Sequence, residues 1–208
     1  RLLDSQGRIT LDTPEALRAL ENYRETYSYS DRTIYDFWKN ALEGFADGTA
    51  AMTVVFINYA SHILNSQMSR IAGKLGFAPV PGGKPLLGGG VIGITQSCTC
   101  PAAACKFLEW LYADLVAPVF TMLGGLSPCR SAYSNRDISE QYPWLSTARK
   151  SFPTAQRRSN STYYQNFSEL QLETILAAHV QQAVLGVCSP EEALKQAQED
   201  CNRYFQPW

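Results

Sequence analysis

The sequence predicts an α/β protein with more helix than strand, and three of its features carry that expectation. Apolar residues recur at helical spacing through most of the chain. Two runs, AAMTVVFI (50–57) and VIGIT (91–95), are instead uninterrupted, short and β-branched, the character of strands buried on both faces. Proline, glycine and capping residues sit where one segment gives way to the next.

The first helix is LDTPEALRALENYRETY, with Thr13 as N-cap, Pro14 at the first helical position and Leu17, Leu20, Tyr23 and Tyr27 on one face. IYDFWKNALEGF repeats the pattern with Tyr35, Trp38, Leu42 and Phe45, and ends before the turn pair Asp47-Gly48. The first buried strand follows and stops at Asn58-Tyr59, just before a short helix, SHILNSQMSRIA. A brief strand, GFAPVP, and a glycine-rich loop, GGKPLLGGG, lead into the second buried strand. PAAACKFLEWLYADL then reads as a helix from Pro101 with Phe107, Leu108 and Leu111 inward, and Cys105 on its apolar face as packing. A further apolar helix carries Phe120 and Met122 and breaks at GGLSPCR. The tail is helical: a short YPWLSTARKSF, a long FSELQLETILAAHVQQAVLG closing on Gly186, and SPEEALKQAQEDCNRYF with a capping box from Ser189 to Glu192.

Composition narrows the function classes. The 208 residues are 45% hydrophobic and 18% charged with a net charge of −1, and the basic residues are scattered, with no cluster larger than a pair such as Arg157-Arg158, so no nucleic-acid surface is expected. No run approaches the roughly 18 apolar residues of a membrane span. The opening RLLDSQGRIT, without an initiator Met, reads like the middle of a longer protein. Six cysteines at this length are not a disulfide framework, although a bridge from Cys98 or Cys100 to Cys129 stays open.

Several motif matches fail on context. GGGVIG (88–93) spells a dinucleotide fingerprint, but its glycines precede a strand instead of following one. GGK at 82–84 is followed by Pro85 and is no phosphate loop. At Gly89 and Gly90 a subtler use is close backbone approach to a ligand, because no Cβ intervenes. The two histidines, His62 and His179, stand in no catalytic or metal-binding frame, and His179 falls on an apolar helix stripe. No metal site, cofactor or acid/base pair can be named. Tyr59 at a strand end, Trp144 after QYP, and Tyr163-Tyr164 before the long helix are differently placed from the core aromatics. Rings beside Asn and Arg suit sugars, whose apolar faces stack while amides and guanidinium groups bond the hydroxyls.

Five stretches in order resemble the family 1 extracellular solute-binding proteins of ABC importers, the maltose-binding-protein-like group. FADGTAAM is similar to F-x-x-G-K-A-A-M with Thr49 in place of Lys; PVPGGKPLLGGGVIGIT to the crossover between lobes; PAAACKFLEWL to A-x-x-F-L-x-W/F-L. GGLSPCR resembles the G-x-x-P-x-R return loop, and SPEEALKQAQED the C-terminal S-P-E-E-A-L-x-x-A signature. The resemblance implies a type II periplasmic-binding-protein-like fold with a mixed sheet, represented by the later part of a two-lobe protein. Residues 1–80 and 130–208 would form the second lobe, and 81–129 the crossover and a segment of the first. It implies a substrate-binding component, not an enzyme, that takes a carbohydrate in the interlobe cleft and works with permease subunits. Its place would be the cell surface, lipid-anchored, or the periplasm. The ligand-binding residues it points to are Asn58, Tyr59, Gly89, Gly90, Arg130, Tyr163 and Tyr164. Without the rest of their sheet such elements expose apolar surface, which opens the fragment to swapping or dimerisation. Two other readings stand beside this one. Paired tyrosines in TYY would suit a ferric-ion or small-anion receptor, and Cys129 beside Arg130 is the one candidate for a cysteine-dependent enzyme.

Overall fold

The computed structural model describes residues 2–30, 38–157 and 159–208. The chain divides into two compact units, residues 1–33 with 158–208, and residues 34–157.

The first unit is a helical hairpin with a third helix against it. Helix α1 (Pro14–Tyr27) begins as expected: the Thr13 side chain accepts a hydrogen bond from the Ala16 N–H and Pro14 fills the first turn. The hairpin helices are α9 (Glu169–Val184) and α10 (Pro190–Tyr204), the last two helices of the chain. Ser168 and Ser189 cap them through the N–H groups of Gln171 and Glu192. Gly186, at φ +77°, makes the left-handed turn between them. Helices α9 and α10 pack along their lengths over Leu172, Ala197, Cys201 and Phe205, joined from the N-terminal segment by Ile9 and Leu11. Burial pushes the Cys201 thiol up to about 11, so it behaves as a small hydrophobe. At the edge of the hairpin His179 Nε2 stands 2.8 Å from Asp200 Oδ2, and Arg203 pairs with the same carboxylate. These partners, the His179 hydrogen bond foremost, hold Asp200 below its ordinary value.

The second unit holds seven helices among its described residues: α2 (Trp38–Ala46), α3 (Ala60–Leu64), α4 (Pro101–Leu111), α5 (Val116–Met122), α6 (Ser131–Ser134), α7 (Arg136–Gln141) and α8 (Pro143–Ser151). Its core is small residues gathered around one large one. Trp144, 1% exposed, packs with Ala60, Ala117, Ala132, Tyr133, Leu145 and Ala148. The aromatic singled out for its irregular surroundings is thus the centre of this core. Of the face expected for the second helix, Leu42 is buried, whereas Tyr35 lies outside the described residues.

The strands depart from expectation. Among the described residues there is no strand, only isolated bridges such as Leu3 with Ile9 and Leu86 with Gln156, so no mixed sheet is present. Residues 50–56 form neither helix nor strand, with Met52 87% exposed; VIGIT likewise forms neither, with Val91 fully exposed, and GFAPVP is irregular. A strand interior is stable only where neighbouring strands take its backbone hydrogen bonds and cover its faces. The described residues supply neither. Helix α4 is affected in the same way. Only Leu111 is buried, while Phe107 and Trp110 pair their rings in the open and Cys105, expected to pack, is exposed. All six cysteines are free thiols.

The exposed area measures this deficit. The chain shows 14552 Å² to solvent, where a folded 23.1 kDa monomer exposes about 9,700 Å² and two separate units of these sizes about 11,600 Å².

Candidate functional site

Asn58 and Tyr59 do not end a strand. They lie on a single 3-10 turn, Ile57–Tyr59, which runs directly into α3. The extended approach stops here because Ile57 and Ala60 turn into the Trp144 core, which leaves Asn58 and Tyr59 half-buried at its margin. Ser61 donates from Oγ to the Asn58 carbonyl at 3.4 Å and steadies the turn.

The loop that follows α5 reaches the same margin. A Cβ placed on Gly124 would stand 2.8 Å from Ser61 Cβ and 4.0 Å from the Asn58 carbonyl oxygen, so this loop and the Asn58–Tyr59 turn touch backbone to side chain. Six residues on, Arg130 caps α6 with its side chain exposed, and among the described residues no ion pair engages it. The stretch between is braced at Ser127. Its Oγ accepts from the Cys129 N–H at 3.1 Å and its carbonyl accepts from the Tyr133 hydroxyl at 2.8 Å. Burial, with Cys129 nearby, raises the Tyr133 pKa, so the phenol stays a neutral donor. Cys129 itself donates from Sγ to the Tyr112 carbonyl at 3.4 Å. The fold therefore brings the predicted Asn58, Tyr59 and Arg130 onto one unit and links them through a contact that no motif displayed.

Gly89 and Gly90 are exposed, and a Cβ on either would meet nothing within 4 Å. Their neighbour Gly88 is the tight one: a Cβ there would lie 3.2 Å from the Phe56 ring. The loop is anchored just upstream, where the Leu87 N–H donates to the Gln156 carbonyl and the Gln156 N–H to the Pro85 carbonyl, both at 2.7 Å.

The tyrosine pair belongs to the first unit, and its two members differ. Tyr164 is 8% exposed, stacked with Phe167 and tilted on Phe205, and its hydroxyl oxygen accepts from the Ile9 N–H at 3.0 Å. Tyr163 stands edge-on to it at 4.9 Å with over a third of its surface exposed. Its own N–H is held by Ser161 Oγ, which in turn donates to the Gly7 carbonyl at 2.6 Å. Among the described residues no three of His, Cys, Asp and Glu gather as a metal set.

A family model described as bacterial extracellular solute-binding protein matches residues 3–147. Among solved structures, the chain is similar to the maltose-bound MalE3 protein of T. maritima, with 23% identity and a TM-score of 0.78 over 98% of this chain and 54% of that one. It is also similar to an ABC transporter solute-binding protein of Agrobacterium radiobacter K84 in complex with ribitol, at 22% identity and a TM-score of 0.70 over 98% and 53%. A third, from Agrobacterium vitis S4 with bound D-mannitol, has 22% identity and a TM-score of 0.69 over 98% and 54%. The likeness is one of fold, and the chain spans about half the length of these structures.

Proposed function

Because the chain belongs to the bacterial extracellular solute-binding proteins, we propose that it forms part of a receptor that captures a sugar or polyol between two lobes and delivers it to the permease of an ABC importer. The observation that carries this reading is the meeting of the Asn58–Tyr59 turn with the loop leading to the unpaired Arg130. An amide and an aromatic ring on this turn, with a guanidinium six residues along the loop that meets it, match what a hydroxylated ligand needs, a face to stack on and forked donors for its oxygens. Structures of the same fold hold maltose, ribitol and D-mannitol, which supports a sugar or polyol as ligand.

In this proposal Asn58, Tyr59 and Arg130 contact the ligand, Gly89 and Gly90 offer bare backbone to it, and Tyr163 adds a ring, with Tyr164 acting by bracing Tyr163. Residues 1–80 and 130–208 serve the second lobe and 81–129 the crossover and part of the first. The ligand favours the closed arrangement of the lobes by binding it better than the open one. No bond is made or broken. Cys129, already donating to a carbonyl, serves the loop, and a location outside the cytoplasmic membrane, by lipid anchor or in a periplasm, suits the family.

A thermal-shift screen of the protein against maltose, ribitol and D-mannitol, with ferric citrate and phosphate as controls, tests the reading. At a hundredfold excess over Kd a ligand adds about 2.7 kcal/mol, worth roughly 5–10 °C in melting temperature for a chain of this size. A rise with ferric citrate alone would move the function to metal capture, and a flat response to all sugars and polyols would remove the carbohydrate claim.

The exposed runs at 51–56 and 86–94 and the open face of α4 bear on partners. In a two-lobe protein the first lobe would cover them, and the chain by itself is expected to dimerise through them, since stable dimers need only about 600–1,000 Å² from each partner. Light scattering across micromolar concentrations checks this; a mass of 23.1 kDa at every concentration would refute it.

A further inference from the structure

We propose that Gly124 is a positioning residue, whose bare Cα against Ser61 sets the spacing between the Asn58–Tyr59 turn and the loop that carries Arg130; its bearing on ligand rests on the sugar-receptor reading above. Two separate demands meet at this glycine. The first is local. Helix α5 closes with Leu123 as its cap, the Gly124 N–H donating to the Thr121 carbonyl at 3.1 Å and the Gly125 N–H to the Phe120 carbonyl at 3.0 Å. This paired closure requires a left-handed residue at Gly124, which has φ +97°. Among residues with a side chain asparagine enters positive φ most often, although φ +97° strains any of them.

The second demand is tertiary. A Cβ at Gly124 would overlap Ser61, at 2.8 Å from its Cβ and closer still to its Oγ. Rotating the hydroxyl away does not relieve the overlap, because Ser61 Cβ is fixed by the backbone of α3. Gly125 is constrained as well: its Cβ would lie 2.6 Å from Phe120 Cδ1. The turn thus has no slack on the helix side, and a side chain at Gly124 must push α3 and with it Asn58 and Tyr59. From Gly124 onward the loop is tied at Ser127 and Cys129, so the displacement changes the distance from Tyr59 to Arg130 instead of being absorbed.

The two demands separate by mutation. Gly124→Asn carries the backbone strain together with the Cβ overlap, and Ser61→Gly removes the overlapped atoms together with the hydroxyl bond to the Asn58 carbonyl, so the double variant relieves the overlap alone. Hydrogen exchange of the amides in 57–64 and calorimetric titration with maltose, ribitol and D-mannitol are to be measured on wild type, Gly124→Asn, Ser61→Gly and the double variant. Gly124→Asn is expected to speed exchange in 57–64 by about tenfold and weaken binding by about tenfold, with both partly restored in the double variant, the signature of a direct pairwise contact. A double variant that folds where Gly124→Asn does not would carry the same meaning. Unchanged exchange in Gly124→Asn, or a double variant no better than the single, would overturn the inference. If exchange follows the pattern while the wild type binds none of the three ligands, the positioning role stands and the carbohydrate reading falls.

Discussion

Replacing Tyr164 by Ala is expected to destabilise the protein by about 3–5 kcal/mol, the usual effect of deleting a buried aromatic. The ring fills the space between Phe167 and Phe205, and its hydroxyl takes the Ile9 N–H, which has no water to turn to. Tyr164→Phe isolates that hydrogen bond: the ring stays, the N–H is orphaned, and the loss falls to about 1–3 kcal/mol. Tyr163→Ala should leave the melting temperature nearly unchanged, because its ring is on the surface of the same cluster. If Tyr163 stacks on ligand, that variant loses about tenfold in affinity, which is about 1.4 kcal/mol. Urea unfolding of the three variants beside ligand titration distinguishes core from contact. A Tyr164→Ala protein as stable as wild type would refute the buried placement, and a Tyr163→Ala protein with full affinity would take Tyr163 out of the site.

Trp144→Ala is expected to have an effect of similar size on the second unit, about 3–5 kcal/mol. Its neighbours Ala60, Ala117, Ala132 and Ala148 are too small to close over the space, so the cavity would persist. The damage reaches the candidate site, since Ala60 directly follows the Asn58–Tyr59 turn and Ala132 sits in α6 just after Arg130. Trp144→Phe should cost distinctly less. The indole Nε1 is buried without a hydrogen-bond partner among the described residues, so losing that N–H removes a penalty while the smaller ring opens a modest void. Equal losses for the two variants, read by urea denaturation, would show that the indole N–H is satisfied after all.

The helices were readable because their signals are local. Thr13, Ser168 and Ser189 cap through N–H groups three residues away, and Gly186 ends α9 by its own backbone freedom. The family resemblance was readable for a related reason: five short motifs in order survive where overall identity to solved structures is 22–23%. The candidate residues Asn58, Tyr59 and Arg130 were legible as positions in those motifs, but the link between their two segments was not, because it depends on a contact between Gly124 and Ser61, 63 residues apart in the chain.

By itself the sequence determined where α1, α9 and α10 begin, which residue types stand at the margin of the second unit, and to which family the chain belongs, whereas the helix expected over 61–72 ends at Leu64. Only the tertiary structure decided that Trp144 is a core residue, that Tyr164 supports instead of presenting a face, and that the two β-branched runs stay unpaired. The reason is physical: a cap or a turn is completed by the residues beside it, whereas a strand, a buried ring and a steric overlap are completed by atoms from elsewhere in the chain.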